Sequence, residues 1–398
     1  MNKHFYRNHV FTADECGCGF WRHVVQSLQV GAMGHSSDVS LTLTREPILD
    51  PDFYKGMASI TFQRWAAPQL ANLVEQFFRP VATSTKTALV YAIDDAMGAN
   101  DVPLYNRGHE HFSKPEVQEA IRRILRLCDF MVVSTTHIKE YYAREYGFQI
   151  GRIIAAPNLL PGHWYGGKFM PGLKVQQFTS NKARPRIGIV GSLSHFNIGS
   201  VKDANGEVVK DDFDVIADVV RATVKDFQWV IVGHVPSQVK DLVESNAVEF
   251  HHGCSILNYP QMLCSLGLQA VVAPLQENEF NLCKSAIKFL ECSALGISLF
   301  ASRMLPYSEV MPDSQMFSTQ DELKDKLLKL KFSSNGAYGK MIEAQWKWLN
   351  SARHEGDFDL KNSWLDDNFE HVWLPILRMR QVDKQPDNGT LQNRPNVV

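Results

Sequence analysis

Short apolar runs along the chain alternate with stretches whose apolar residues recur at helical spacing. In the first half, Asp38–Leu43, Ile60–Phe62, Ala88–Ile93 and Phe130–Val133 read as strands, with a weaker one at Arg152–Ala156. Between them, Trp21, Val24, Val25 and Leu28 keep helical spacing, as do Leu70, Leu73, Val74 and Phe77, and Ile121, Ile124, Leu125 and Cys128. Strands alternating with helices imply a parallel sheet covered by helices on both faces.

From Pro157 to Pro185 the pattern lapses into Gly, Pro and polar residues, as expected of an interdomain connection. The alternation then restarts. Arg186–Val190, Trp229–Val232, Val248–His251, Ala270–Ala273 and Ile297–Ala301 read as strands. Helical faces fall at Phe213–Phe227, at Tyr259–Leu266 and over about Leu282–Leu295, the last stopped by Gly296. The expected architecture is therefore α/β, with two Rossmann-like doubly wound domains facing across a cleft. Residues 1–180 form the first domain and 181–335 the second. Ligands bind such sheets outside the carboxyl ends of the strands. Residues 336–380 are rich in Trp and Phe and are expected to pack as helices across both domains, followed by a disordered tail at 381–398.

Composition narrows the function. A net charge of -2 gives no global case for nucleic acid. The seven cysteines, Cys16, Cys18, Cys128, Cys254, Cys264, Cys283 and Cys292, include no CxxC pair, which argues against a disulfide framework or a zinc site. The first residues lack the apolar core of a signal peptide, and no run reaches the length of a membrane span. A cytoplasmic protein is expected.

Chemistry concentrates in Ala273–Ser302: strand, polar loop, helix, glycine stop, strand. Lys284 and Lys288 sit four apart at the expected helix start, where like charges repel each other and the positive helix end. With Ser285 and free backbone amides they would make an anion site, and a bound diphosphate would turn the repulsion into attraction. Glu291, two turns on, is placed to accept both hydroxyls of a ribose. The same residues also fit a solvated helix face with a Lys288–Glu291 pair.

This segment resembles the donor site of GT-B glycosyltransferases of family 4, and phage and bacterial members in particular. Pro274, Leu275, Phe280, Asn281, Lys284, Ser285, Lys288, Phe289, Leu290, Glu291, Ala294, Leu295, Gly296 and Ile297 carry the likeness. Arg186–His195 resembles the first strand and phosphate-side loop of the donor domain, with Gly191, Ser192 and His195 as donor contacts. Gly17–Arg22 resembles the glycine loop after the first strand, so Gly17 and Gly19 would let backbone approach the ligand and Arg22 would meet phosphate; turn glycines and a surface arginine are the alternatives. Ile60–Arg64 and Val90–Asp95 resemble two further signatures, which makes Asp94 and Asp95 candidates for acceptor positioning or general base, against a loop-capping role. His252 is a candidate to stack beside the nucleotide base, and the His109–His111 pair lacks a third metal ligand nearby.

The resemblance implies a retaining glycosyltransferase using a nucleoside-diphosphate sugar, with no metal and no further cofactor. The acceptor stays open among glycan, lipid carrier, protein and hydroxymethylated DNA. A nucleotide-sugar epimerase and a non-catalytic nucleotide-sugar binding protein are the alternatives. One position departs from the family pattern: where an acid is usual, eight residues before Glu291, the chain has Cys283, with Glu277 and Glu279 as nearby substitutes. The family's Arg and Lys after the phosphate-side loop are not evident either, and His195 and Lys284 are the candidate replacements.

Overall fold

A computed structural model describes residues 5–14, 17–165, 184–191, 194–197, 201–332 and 335–380. Ser192, most of the connection at 157–185 and the segment 381–398 lie outside the described residues. Two six-stranded parallel sheets carry the fold. The first contains β1 (Tyr6–Phe11), β2 (Val39–Thr44), β3 (Met57–Gln63), β4 (Ala88–Ala92), β5 (Phe130–Val133) and β6 (Ile153–Ala155), in the order β2-β1-β3-β4-β5-β6. The second contains β7 (Arg186–Gly191), β8 (Gln228–Gly233), β9 (Glu249–His252), β10 (Ala270–Ala273), β11 (Ser298–Ser302) and β12 (Met316–Phe317), in the order β12-β11-β10-β7-β8-β9. Strand order reverses between β1 and β3 in one sheet and between β7 and β10 in the other. Those are the crevices where such sheets bind ligands.

β1 escaped the sequence reading because its pattern is not that of a buried strand. It runs YRNHVF through the middle of the sheet, yet Asn8 and His9 are both buried. Asn8 Nδ2 donates to the carbonyls of Ser40 and Leu377, and the Ser59 hydroxyl donates to its Oδ1. His9 Nε2 meets Thr44 Oγ1, and burial pulls its pKa down to about 4, which keeps the ring neutral.

The helix expected over Leu282–Leu295 is two pieces. A short turn, Glu279–Leu282, is capped by the Asn278 side chain, and the longer helix begins only at Ile287. The break has a packing cause. Phe280 and Cys283 are buried in the core of the first domain, whereas Phe289 and Leu290 are buried with the second. One straight helix does not present both faces to both cores.

The last helices divide between the domains. Asn335–Leu349 packs on the second through Tyr338 and Ile342, with Gln345 Nε2 donating to the Ile297 carbonyl. Leu365–Leu377 lies on the first, where Gln29 Nε2 donates to Asp366.

Candidate functional site

Between the two switch points lies a cavity of about 1010 Å³, large enough for a nucleotide sugar with room beyond it. The second domain supplies the wall at the ends of β7, β8 and β10. β7 ends at Gly191, where a Cβ would strike the Phe196 ring at 2.5 Å; β8 ends at Gly233, whose φ of +107 only glycine adopts readily. The bare strand ends leave backbone open to the cavity. Gly191, His195, His252, Lys284, Ser285, Lys288 and Glu291 all line it.

The side chains here are held by specific partners. Lys288 Nζ donates to the Val190 carbonyl, and burial lowers its pKa against the pull of Glu291. Glu291 accepts from the Tyr165 hydroxyl at 2.9 Å, and burial pushes its pKa up to about 7, opposed by Lys288 and that hydrogen bond. Ser285 Oγ accepts from Asn158 Nδ2 at 2.9 Å. His195 Nδ1 lies 2.8 Å from Asp212 Oδ2.

The facing wall comes from the ends of β1, β3 and β4. Gly17, at φ +53, and Cys18 follow β1, Arg64 follows β3, and Asp94 and Asp95 follow β4. Lys284 reaches across the cleft to Asp95, Nζ to Oδ1 at 3.2 Å, and Arg64 approaches the same carboxylate at 3.7 Å. The two acids therefore behave differently. Burial, reinforced by Asp95, raises the Asp94 pKa; at Asp95 burial is outweighed by Lys284 and Arg64, which hold it below the usual carboxylate range. The Cys18 sulfur and both carboxylates lie within 4.8 Å of one another, a set of donors a metal ion accepts, but Arg64 and Lys284 already share the carboxylate charge. His109 instead meets the Val102 carbonyl through Nδ1.

Several sequence expectations are corrected. Arg22 is buried at 1% exposure, away from the cavity. It donates to the Val133 carbonyl and to Asn158 Oδ1 and lies over the Trp373 ring, so it ties the ends of β5 and β6 to the last helix rather than meeting phosphate. Gly19 does not face the cavity either: an added Cβ would fall 1.8 Å from the Asp14 carbonyl oxygen, so its close approach is to the chain's own backbone. Asn281 is buried behind the wall, donating to Asp212 Oδ1 at 2.8 Å and to the Gln276 carbonyl.

Lys284 precedes the helix instead of opening it; it pairs with Asp95 and lies 4.0 Å over the Phe280 ring, while its charge still opposes that of Lys288. Cys283 is packed in the first domain's core, and Glu279 is taken by Arg144 at 2.8 Å and His137 at 3.3 Å. Neither Glu277 nor Glu279 lines the cavity.

Arg64, Asn158 and Tyr165 belong to the site and were not singled out from the sequence as site residues. Arg64 closes the segment Ile60–Arg64 and has φ +55, the kind of backbone outlier that accompanies function but leaves no trace in sequence. Asn158 and Tyr165 sit in the stretch read as a connection.

These paired sheets and the cleft between them are the GT-B fold. Neither a protein-family model nor a curated protein matches the sequence. Solved structures do match in shape. Anabaena HepE in complex with UDP-glucose is 10% identical over 94% of this chain and 97% of its own, with a TM-score of 0.55. A glycosyltransferase from Rickettsia africae is 9% identical over 86% and 94%, at 0.52. WaaG, a glycosyltransferase involved in lipopolysaccharide biosynthesis, is 12% identical over 87% and 95%, at 0.51. Among the described residues, no helix is long and apolar enough to cross a membrane.

Proposed function

We propose that the protein is a glycosyltransferase that moves a sugar from a nucleoside-diphosphate donor to an acceptor, with retention at the anomeric carbon. The observation that carries this reading is the composition of the two walls. Lys284, Ser285, Lys288 and His195 converge on one side with Glu291 deeper in, and Asp94, Asp95 and Arg64 face them across the cavity. In this reading the diphosphate lies against the lysines, displacing Asp95 from Lys284, and Glu291 takes the ribose hydroxyls. Cations fixed beside the leaving phosphate stabilise the charge that grows there as the sugar bond breaks. Asp94 and Asp95 then face the acceptor. The likeness to HepE, which was crystallised with UDP-glucose, supports a nucleotide-sugar donor. Retention and the absence of a metal requirement rest on the resemblance of Ala273–Ser302 to family 4. The acceptor is a glycan, lipid carrier, protein or hydroxymethylated DNA base.

The test is incubation with a panel of UDP-, GDP-, ADP- and TDP-sugars, with and without candidate acceptors, followed by product analysis. Acceptor-dependent transfer that persists in EDTA is expected. Interconversion of free or nucleotide-bound sugars without acceptor would identify an epimerase, and tight donor binding with no turnover a binding protein. Activity abolished by EDTA and restored by manganese would overturn the metal-independent mechanism.

A further inference from the structure

Asp212 is a fully buried carboxylate whose only ion-pair partner among the described residues is His195. Its Oδ1 accepts from the Asn281 amide at 2.8 Å, the Gln276 backbone N–H at 2.8 Å and the Tyr105 hydroxyl at 2.9 Å. Its Oδ2 meets His195 Nδ1 at 2.8 Å. These contacts fix the orientation of the carboxylate, and its Oδ2 beside Nδ1 places a His195 proton on Nδ1. The remaining ring nitrogen, Nε2, has no partner among the described residues, and His195 lines the cleft beside Lys284 and Lys288.

We propose that His195 and Asp212 form a proton-holding pair: when a nucleoside diphosphate binds, His195 takes a proton from solvent at Nε2 and donates it as a hydrogen bond to the diphosphate oxygens, with Asp212 as the positioning residue. This rests on the donor reading above. The groups that face His195 are Asp212 on its own side, Lys284 and Lys288 from the Lys284–Ala294 segment, and Asp95 from the first domain. In the empty protein burial and both lysines hold the ring neutral, opposed by Asp212. A diphosphate reverses the balance, because its charge offsets both lysines and adds an acceptor for the second ring N–H. Tyr105 brings the other domain into the same network. Its hydroxyl crosses the cleft to Asp212 from the loop that precedes His109–Phe112.

Calorimetry tests this with UDP, GDP, ADP and TDP as probes, each titrated near pH 7 in two buffers of different ionisation enthalpy. The wild type is expected to take up about one proton per bound diphosphate, seen as a buffer-dependent heat. His195→Gln lowers the uptake by about one proton, whatever Glu291 contributes, while binding remains measurable. Asp212→Asn reduces it and moves the alkaline limb of the binding pH profile to lower pH, a change that simple loss of packing would not produce. Diphosphate binding with no buffer dependence, or full uptake retained in His195→Gln, overturns the proton-holding pair and leaves the donor reading standing. Failure of all four diphosphates to bind overturns both.

Discussion

Burial governs Glu291 in the empty cleft. Its pKa of about 7, against 4.5 for an ordinary glutamate, means that folding takes up a proton at this site above the unfolded value. The sign follows: the folded state is penalised progressively as pH rises from about 4.5 through 7, by up to about 3 kcal/mol in the alkaline limit. Glu291→Gln removes that penalty. Its melting temperature should exceed that of the wild type at pH 8 and match it near pH 4.5, while its affinity for the diphosphate donor falls about tenfold or more. Thermal scans at both pH values and a binding titration check both halves. A lower melting temperature at pH 8 would mean that Glu291 is a structural ion-pair partner of Lys288. Cys283 makes the opposite case. It stands where the family places an acid, yet it is buried in the first domain's core. Cys283→Asp should destabilise the protein by several kcal/mol, through an unpaired buried carboxylate, without raising turnover. Increased transfer in that variant would show the position open to substrate.

At the scale of elements, the paired sheets were legible because parallel strands buried on both faces announce themselves as apolar runs. Ala270–Ala273 and Phe130–Val133 stand where the pattern put them. What stayed hidden was held by tertiary contacts. β1 reads as polar because its Asn8 and His9 are satisfied by residues distant in sequence, Ser40, Thr44, Ser59 and Leu377. The interrupted helix read as continuous because apolar spacing does not say which core a residue enters. The site was legible along β7 and β10, where Gly191, His195, Lys284, Ser285, Lys288 and Glu291 come together. It was less so on the first domain, where Arg22 and Gly19 turned out to be buttresses. A buried arginine bonded to carbonyls and a phosphate-binding arginine have the same one-letter code; only the fold separates them.

Over the whole molecule, the Glu279–Lys284 stretch fastens one domain to the other. Phe280 and Cys283 enter the first core, Lys284 pairs with Asp95, Glu279 with Arg144, and Tyr105 reaches Asp212 from the opposite side. The two domains should therefore unfold in one cooperative transition. Phe280→Ala, at a cost of about 3–5 kcal/mol, should split it in two. Differential scanning calorimetry decides the matter, since two resolved peaks in the wild type would show the stretch to be a weak contact.

The helix Leu365–Leu377 carries one more consequence. It lies on the first domain, where its Leu377 carbonyl accepts from Asn8 and Arg378 reaches Asp38, although the whole second domain lies between them along the chain. During synthesis the ribosome must complete the entire second half before the first sheet receives its covering helix. The first domain thus waits on the ribosome with an apolar face open until Leu365–Leu377 has emerged to cover it.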